Sequence, residues 1–238
     1  MQPALQPGKQ PSPWLASQTG SIAVEQNRVL RNTYILLALS MVPTVVGALV
    51  GMSLNLAGLF KAYPVMAPIG MFLAMMGMLF LVQANRESSL GVVLLLGFTF
   101  VAGLFLAPIL QYAASLRNGG QLVAMAGGMT AVVFFTMATI ATVSKRDFSF
   151  MGKFLMVGVI LLIVASLANL FFQVPAVSLT ISAVAVLLFS MWLLYDISNI
   201  VRGGETNYVS ATLSVYMSLY NIFVSLLNLL MAFSGQRD

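Results

Sequence analysis

Seven long apolar stretches constrain this chain more than any other feature of its sequence. Each is close to the roughly 20 residues that an α-helix needs to cross a bilayer. Only 7% of the 238 residues are charged, whereas a soluble domain carries charge on roughly a quarter of its residues. The sequence therefore predicts an all-α membrane protein, a bundle of seven transmembrane helices within residues 33–233. The spans are about 33–55, 64–83, 90–112, 120–143, 153–173, 176–200 and 208–233.

The segments outside the predicted bundle are short. Residues 1–20 contain four prolines and four glutamines, a composition typical of a disordered tail. This tail lacks the apolar core of a signal peptide, so no cleavage is expected. Residues 21–32 are more polar and predict an interfacial lead-in to the first span. Residues 234–238 form a short C-terminal tail.

The basic residues predict the orientation of the bundle, because lysine and arginine concentrate in cytoplasmic loops. An N-terminus in the cytoplasm puts eight on the cytoplasmic side and three outside. Seven crossings then put the C-terminus in the periplasm. The cytoplasmic set is Lys9, Arg28, Arg31, Arg86, Lys145, Arg146, Lys153 and Arg202, and the outer set is Lys61, Arg117 and Arg237.

Asp196 is the only acid inside a predicted span. It precedes Arg202 by six residues, which places it roughly 9 Å from the cytoplasmic end of span six. Span seven carries five polar residues spaced by 4, 3, 4 and 3 positions, so they share one helix face. Antiparallel packing brings the first three near the depth of Asp196. The five are Ser214, Ser218, Asn221, Ser225 and Asn228.

These residues have a structural interpretation and a functional one. Asp196 either reaches the interface or pairs with Arg202, or it is a titratable group in an ion or proton path. The negative end of its helix and partial desolvation both disfavour a charged carboxylate there. We predict Asp196, Ser218 and Asn221 as a candidate pH-sensing or ion site. The other members, Ser214, Ser225 and Asn228, form a polar core stripe, and such contacts are worth roughly 0.6 kcal/mol each.

Several classes of function are excluded by composition. The chain has no cysteine and no histidine, so thiolate and imidazole metal sites, disulfides and Ser–His or Cys–His nucleophiles are absent. A single intramembrane acid excludes an aspartyl protease, and without histidine there is no HExxH motif. The basic residues are scattered rather than clustered, which excludes nucleic acid as a partner. We expect no enzyme activity and no cofactor, and the lipid bilayer as the surrounding partner.

Three segments resemble the Bax inhibitor family, specifically its bacterial YccA branch. They are VLRNTYILLALSMVPT at the first span, ATVSKRDFSFMGKFLM after the fourth, and YDISNIVRGGETNYVSATLSVYMSLYNIFVSLLNLL at the end. The resemblance covers about residues 27–235. It implies six helices around a central C-terminal seventh, which places the polar stripe in the bundle core.

The resemblance implies two functions. Members of the YccA branch are inner-membrane modulators and substrates of the FtsH protease, with its companions HflK and HflC, and the tail 1–20 is a suitable handle for such a protease. Calcium-leak members instead share a pH-sensitive pair of aspartates in the last two helices. Asp196 matches the first, but Ser218 stands where the second belongs, which counts against the alternative of a pH-sensitive cation, proton or calcium leak. A stress role without transport or a protease link stays a third alternative.

Overall fold

The computed structural model describes residues 13–144 and 147–234, with side chains from residue 24 onward. Within these ranges all regular structure is helical. The helices are α1 (Pro13–Ser53), α2 (Leu56–Ala62), α3 (Met66–Ala84), α4 (Ser89–Ala114), α5 (Gly119–Val143), α6 (Met151–Phe172), α7 (Pro175–Val201) and α8 (Tyr208–Ser234). All except α2 are long and apolar enough to span a membrane, α1 through Val24–Ser53. The prediction of a seven-span all-α protein is confirmed.

The first helix differs from its predicted boundaries. α1 begins at Pro13, inside the predicted tail 1–20, and continues without a break through the predicted lead-in 21–32. Proline suits the first position of a helix because the amide that it lacks would have no intrahelical partner there. Residues 13–20 are therefore helical rather than disordered, whereas the rest of the predicted tail lies outside the described residues, as do residues 235–238.

The short helix α2 was not predicted. Asn55 adopts a left-handed conformation with φ of 52°, which asparagine tolerates better than most residues. The chain therefore turns after α1, and the seven residues of α2 are too few to cross a bilayer. The break itself agrees with the predicted end of span one near residue 55, whereas hydropathy gives no sign that residues 56–62 form a helix.

α8 is the central helix of the bundle. It packs against α1, α3, α4, α5 and α7, and it buries thirteen residues, more than α4 or α7. Five of the six other spans contact α8 directly, and the sixth joins the bundle through a neighbouring helix. Among the described residues α6 packs against α7 alone, and it buries only Leu155. The central helix thus has five neighbouring spans, with α6 at the periphery.

The most extensive contact between two helices is the α1–α4 seam, formed by Gly47 and Gly51 of α1 and Gly103 of α4. A Cβ atom on Gly47 would overlap the carbonyl oxygen of Phe100, and one on Gly103 would overlap that of Thr44. The two backbones are therefore in direct contact, as a small-xxx-small pair favours in membranes.

Candidate functional site

Asp196 lies near the end of α7, on the side that faces the central helix. Its side chain is only 8% exposed, and its Oδ2 atom is fully buried without a hydrogen-bond partner among the described residues. Ser214 and Ser218 of α8 and Trp192 of α7 face the carboxyl as potential donors. An orphaned buried oxygen of this kind costs about 1–3 kcal/mol or more. The structure therefore brings Asp196 together with two of the three α8 residues that the antiparallel arrangement predicts.

The remaining stripe residues have other surroundings. The Asn221 side chain donates from Nδ2 to the Met217 carbonyl oxygen at 2.8 Å, a bond within α8 itself. Ser225 is buried, and Asn228 is half-buried. A different polar contact holds the middle of the bundle, where the hydroxyl groups of Tyr216 and Thr44 lie 2.8 Å apart.

A polar cavity of about 250 Å³ adjoins Asp196. It lies between the end of α3, the last turns of α7, the α7–α8 turn and the start of α8. The sequence points to Asp196 and Ser214 but not to the other polar members of this cavity, because a hydropathy pattern does not show how a helix is rotated or where a turn leads. The residues that line this cavity are Gln83, Trp192, Tyr195, Asp196, Asn199, Ile200, Glu205, Ser210, Ala211 and Ser214.

The α7–α8 turn holds Glu205 at the cavity. Gly203 has φ of 76°, a conformation that glycine adopts without strain. The amides of Gly204 and Glu205 then donate to the Asn199 carbonyl oxygen at 2.9 and 3.3 Å. Glu205 Oε1 accepts the amide of Asn207 at 2.8 Å. The backbone and the Glu205 side chain are thus both fixed beside Asp196.

Asn207 joins this turn to its neighbours. Its Oδ1 accepts the amides of Val209 and Ser210 at 2.9 and 3.1 Å, which caps α8 in the way that asparagine commonly caps a helix. Its Nδ2 donates to the Arg86 carbonyl oxygen at 2.9 Å, which ties the α7–α8 turn to the α3–α4 turn. The helix cap and the contact between turns therefore depend on one side chain.

α1 also contacts this turn. A Cβ atom on Gly203 would lie 2.7 Å from Nε2 of Gln26, so the extension of α1 packs directly against the turn. This extension is the part of α1 that precedes predicted span one, from Pro13 to residue 32. The cavity turn is therefore in contact with the first helix of the chain.

The charges around the cavity are unbalanced. Glu205 and Asp196 repel each other, and no lysine or arginine is among the lining residues. The Arg202 side chain instead donates to the Ser198 hydroxyl at 3.3 Å and attracts Asp147 of the α5–α6 loop. Hydrogen bonds from the Ser149 hydroxyl and amide hold the pKa of Asp147 below its usual range. Arg202 thus interacts with Ser198 and Asp147, and it is not among the residues that line the cavity.

The polar groups of the site suit binding chemistry. Hydroxyl and amide groups accompany its two carboxylates, and the chain has no histidine or cysteine to activate a nucleophile. No group of three or more acidic, histidine or cysteine residues that suits a metal occurs in the described ranges. Two carboxylates with neutral oxygen donors can hold a proton or a hard cation.

Known proteins resemble this chain along most of its length. Residues 26–235 match the family model described as "Inhibitor of apoptosis-promoting Bax1". A protein of Escherichia coli strain K12 named "Modulator of FtsH protease YccA" is 40% identical over 206 residues, which cover 86% of this chain and 90% of the relative. "Inner membrane protein YccA" of Escherichia coli O6:H1 has the same identity and coverage. A Vibrio cholerae protein named as an uncharacterized membrane protein is 41% identical over 208 residues, or 87% of this chain and 90% of the relative.

Proposed function

The chain belongs to the Bax inhibitor family, and we propose that it is an inner-membrane modulator, and itself a substrate, of the FtsH protease. The observation that carries this proposal is its 40% identity, across 90% of the relative's length, to the Escherichia coli protein named as a modulator of FtsH. HflK and HflC are the expected companions of the protease. The bias of basic residues supports a cytoplasmic N-terminus and a periplasmic C-terminus.

The first helix supports the role of substrate. A protease that pulls on a terminus engages exposed, weakly packed segments, and the composition of residues 1–12, with three prolines and three glutamines, suits that role. α1 then continues to Ser53 as one helix of 41 residues, which is about 60 Å long. A pulling force that the protease applies to the residues before Pro13 is therefore transmitted along α1 to the first span.

The α1–α4 seam supports the role of modulator. The first span to be extracted is the one in backbone contact with α4 through Gly47, Gly51 and Gly103. Close packing of this kind must be separated along its length before α1 can leave the bundle. A substrate that engages readily but is extracted slowly occupies the protease, and it thereby slows the turnover of other substrates.

Deleting residues 2–12 tests both roles. We expect a longer lifetime of the chain in cells that contain the protease and a loss of its effect on other substrates, measured by pulse-chase. The control replaces the same residues by a glycine- and serine-rich segment of equal length, which should restore both. An unchanged lifetime after the deletion would contradict the proposal. Co-purification from native membranes, probed for FtsH, HflK and HflC, tests the partners separately.

The alternative function, a pH-sensitive cation or proton leak centred on Asp196, stays a prediction. The orphaned carboxylate favours it, whereas the residue of α8 that faces Asp196 beside Ser214 is Ser218 rather than a second acid. The test is flux in proteoliposomes between pH 5 and 8. A leak requires flux that Asp196→Asn changes, and flux no greater than in empty liposomes excludes it.

A further inference from the structure

We propose that the apolar crevice between α6 and α7 binds one acyl chain of a membrane phospholipid, and that it recognises the chain rather than the headgroup. The crevice has a volume of about 400 Å³, and every residue that lines it belongs to one of these two helices. Among them are Gly158 and Ala165 of α6 and Val177, Thr180 and Leu188 of α7. It shares no residue with the polar cavity at the α7–α8 turn. The inference is independent of protease modulation.

The first argument is the length of the crevice. Along α7 its lining runs from Val177, close to the start of the helix, to Leu188 at the middle of the helix. That stretch of helix is about 16 Å long. The hydrocarbon core of a bilayer is about 30 Å thick, so the acyl chains of one leaflet span about 15 Å. The crevice therefore runs from the α6–α7 turn towards the middle of the bilayer, as the chains of that leaflet do.

The second argument is the chemistry of the lining. Thr180 is its only polar side chain, and the Thr180 hydroxyl already donates to the Ala176 carbonyl oxygen at 2.9 Å. Water would gain no further hydrogen bond from a side chain there, and an empty crevice would forfeit the dispersion contacts of its walls. No residue from 154 to 195 is charged. This hairpin can therefore hold an apolar chain, and it has no charge with which to select a headgroup.

The third argument is access from the bilayer. Leu161, Val177 and Val184 line the crevice and are exposed, and in the described part of the chain α6 packs against α7 alone. The occupant therefore comes from outside the bundle. A transmembrane helix with its side chains is about 10 Å across, so 16 Å of helix occupies roughly 1,200 Å³. That is several times the volume of the crevice, so a neighbouring helix could insert only side-chain tips, whereas one acyl chain can lie along its whole length.

Two small residues of α6 make room for the chain. Gly158 and Ala165 are seven positions apart, so they share one face of the helix. At Gly158 a Cβ atom would lie 2.6 Å from Leu188 Cδ1, so the two helices close the crevice at that end. Ala165 lies nearer the α6–α7 turn, where a larger side chain would take the place of the lipid.

The bound chain has a consequence for α6. This helix buries only Leu155 and has α7 as its only neighbour among the described helices. An acyl chain in the crevice contacts both helices at once, so it adds apolar contact exactly where the protein supplies least. Phospholipid binding therefore stabilises the attachment of α6 to the bundle.

The experiment uses the full chain in detergent micelles, mixed with dioleoyl phosphatidylethanolamine and examined by native mass spectrometry. We expect one phospholipid retained per chain. Ala165→Phe fills the crevice and should weaken retention about tenfold or more. Ala168→Phe is the matched control, because Ala168 is an exposed residue of the same helix that does not line the crevice. It should retain the lipid as the parent chain does.

The choice of lipid tests what is recognised. Dioleoyl phosphatidylglycerol has the same chains and an anionic headgroup, so it should be retained equally well. Dioctanoyl phosphatidylethanolamine has shorter chains that fill less of the crevice, so it should be retained less. A strong preference between the two dioleoyl lipids would overturn recognition through the chain.

Thermal unfolding separates a binding defect from a folding defect. In lipid-free detergent Ala165→Phe should be at least as stable as the parent, because its ring fills a void. Added phospholipid should stabilise the parent and Ala168→Phe but not Ala165→Phe. If Ala165→Phe is itself unstable, Thr180→Phe fills the crevice from α7 and should give the same loss of lipid.

Three results would overturn the proposal. The first is a parent chain that retains no phospholipid, and the second is equal retention by Ala165→Phe and Ala168→Phe. The third is a parent chain that retains a second copy of itself in place of lipid and loses it in Ala165→Phe, since the occupant would then be a helix.

Discussion

The α1–α4 seam and the contact between α6 and α7 are built from similar apolar residues, yet they hold their helices in different ways. In the seam, Gly47 and Gly103 bring backbone against backbone. At the α6–α7 contact, Gly158 instead faces the tip of a side chain, with Leu188 Cδ1 2.6 Å from where a Cβ atom would lie. An apolar crevice of about 400 Å³ adjoins this contact, and Gly158, Leu161, Ile181 and Leu188 are among its lining residues.

The difference shows that small residues do not have one meaning in a membrane helix. Two backbones in contact cannot separate locally, because interiors are close-packed and helices move as units. A leucine tip beside a crevice can move into the free space. A third case is the pair Gly127 and Gly128 of α5, where a Cβ atom would meet nothing within 4 Å. The same substitution, glycine to alanine, thus distinguishes three environments.

Gly103→Ala should have the largest effect. Its Cβ atom would overlap the Thr44 carbonyl oxygen, so α1 and α4 must move apart. We expect a loss of about 3 kcal/mol, the upper end for overpacking, measured as unfolding in detergent micelles. If the protease role is correct, the same variant should be degraded faster. Stability equal to that of the parent chain would show that the seam is not rigid.

The contact between the Thr44 and Tyr216 hydroxyl groups links the α1–α4 seam to α8. Removing one hydroxyl or the other should change the free energy of unfolding by different amounts. The Thr44 hydroxyl also donates to the Ser40 carbonyl oxygen at 2.8 Å, so it keeps a partner in Tyr216→Phe, which should cost about 1 kcal/mol. Thr44→Val leaves the buried Tyr216 hydroxyl without that partner and should cost more, about 1–3 kcal/mol. A double-mutant cycle on unfolding free energies measures the coupling. Equal losses of stability in the two single variants would contradict an arrangement in which Tyr216 donates and Thr44 accepts.

Gly158→Ala should cost less than about 1 kcal/mol. Leu188 can rotate into the crevice, and alanine recovers about 0.5–1 kcal/mol of helix stability relative to glycine. Unfolding in the same detergent, beside Gly103→Ala, gives the direct contrast. A cost as large as that of Gly103→Ala would mean that α6 is held as rigidly as α1.

Gly128→Ala should have the smallest effect and the opposite sign. With nothing near the added Cβ atom, only the helix preference remains, which favours alanine by about 0.5–1 kcal/mol. The variant should therefore unfold slightly later than the parent chain. A clear destabilisation would indicate that this face of α5 packs against another chain.

The sequence predicts features that depend on length, spacing and polarity. Seven apolar runs predict seven spans, and the positions of Asp196, Ser214 and Ser218 predict their meeting, because antiparallel helices joined by a short turn bring equal depths together. The cap at Asn207 follows from residue type alone. These features are fixed by local geometry, so one sequence is sufficient to infer them.

Other features depend on how helices rotate and pack against each other. Glu205 lies outside the predicted spans, and only the path of the α7–α8 turn brings it to the cavity. In the sequence Gln83 is only a polar residue at the end of an apolar span, and nothing in the sequence indicates that it lines the cavity. The peripheral position of α6 also has no local signal, because its apolar residues suit lipid and protein neighbours equally well.

Asn207 makes two loops at one end of the bundle respond as a single surface. It holds the Arg86 carbonyl oxygen with one end of its amide and the first amides of α8 with the other. A change that moves the Arg86 carbonyl oxygen in the α3–α4 turn therefore also disturbs the side chain that caps α8, although the two residues are 121 positions apart in the chain. Selection on either loop then acts on both, so a substitution that adapts one to a new partner has to preserve the geometry of the other.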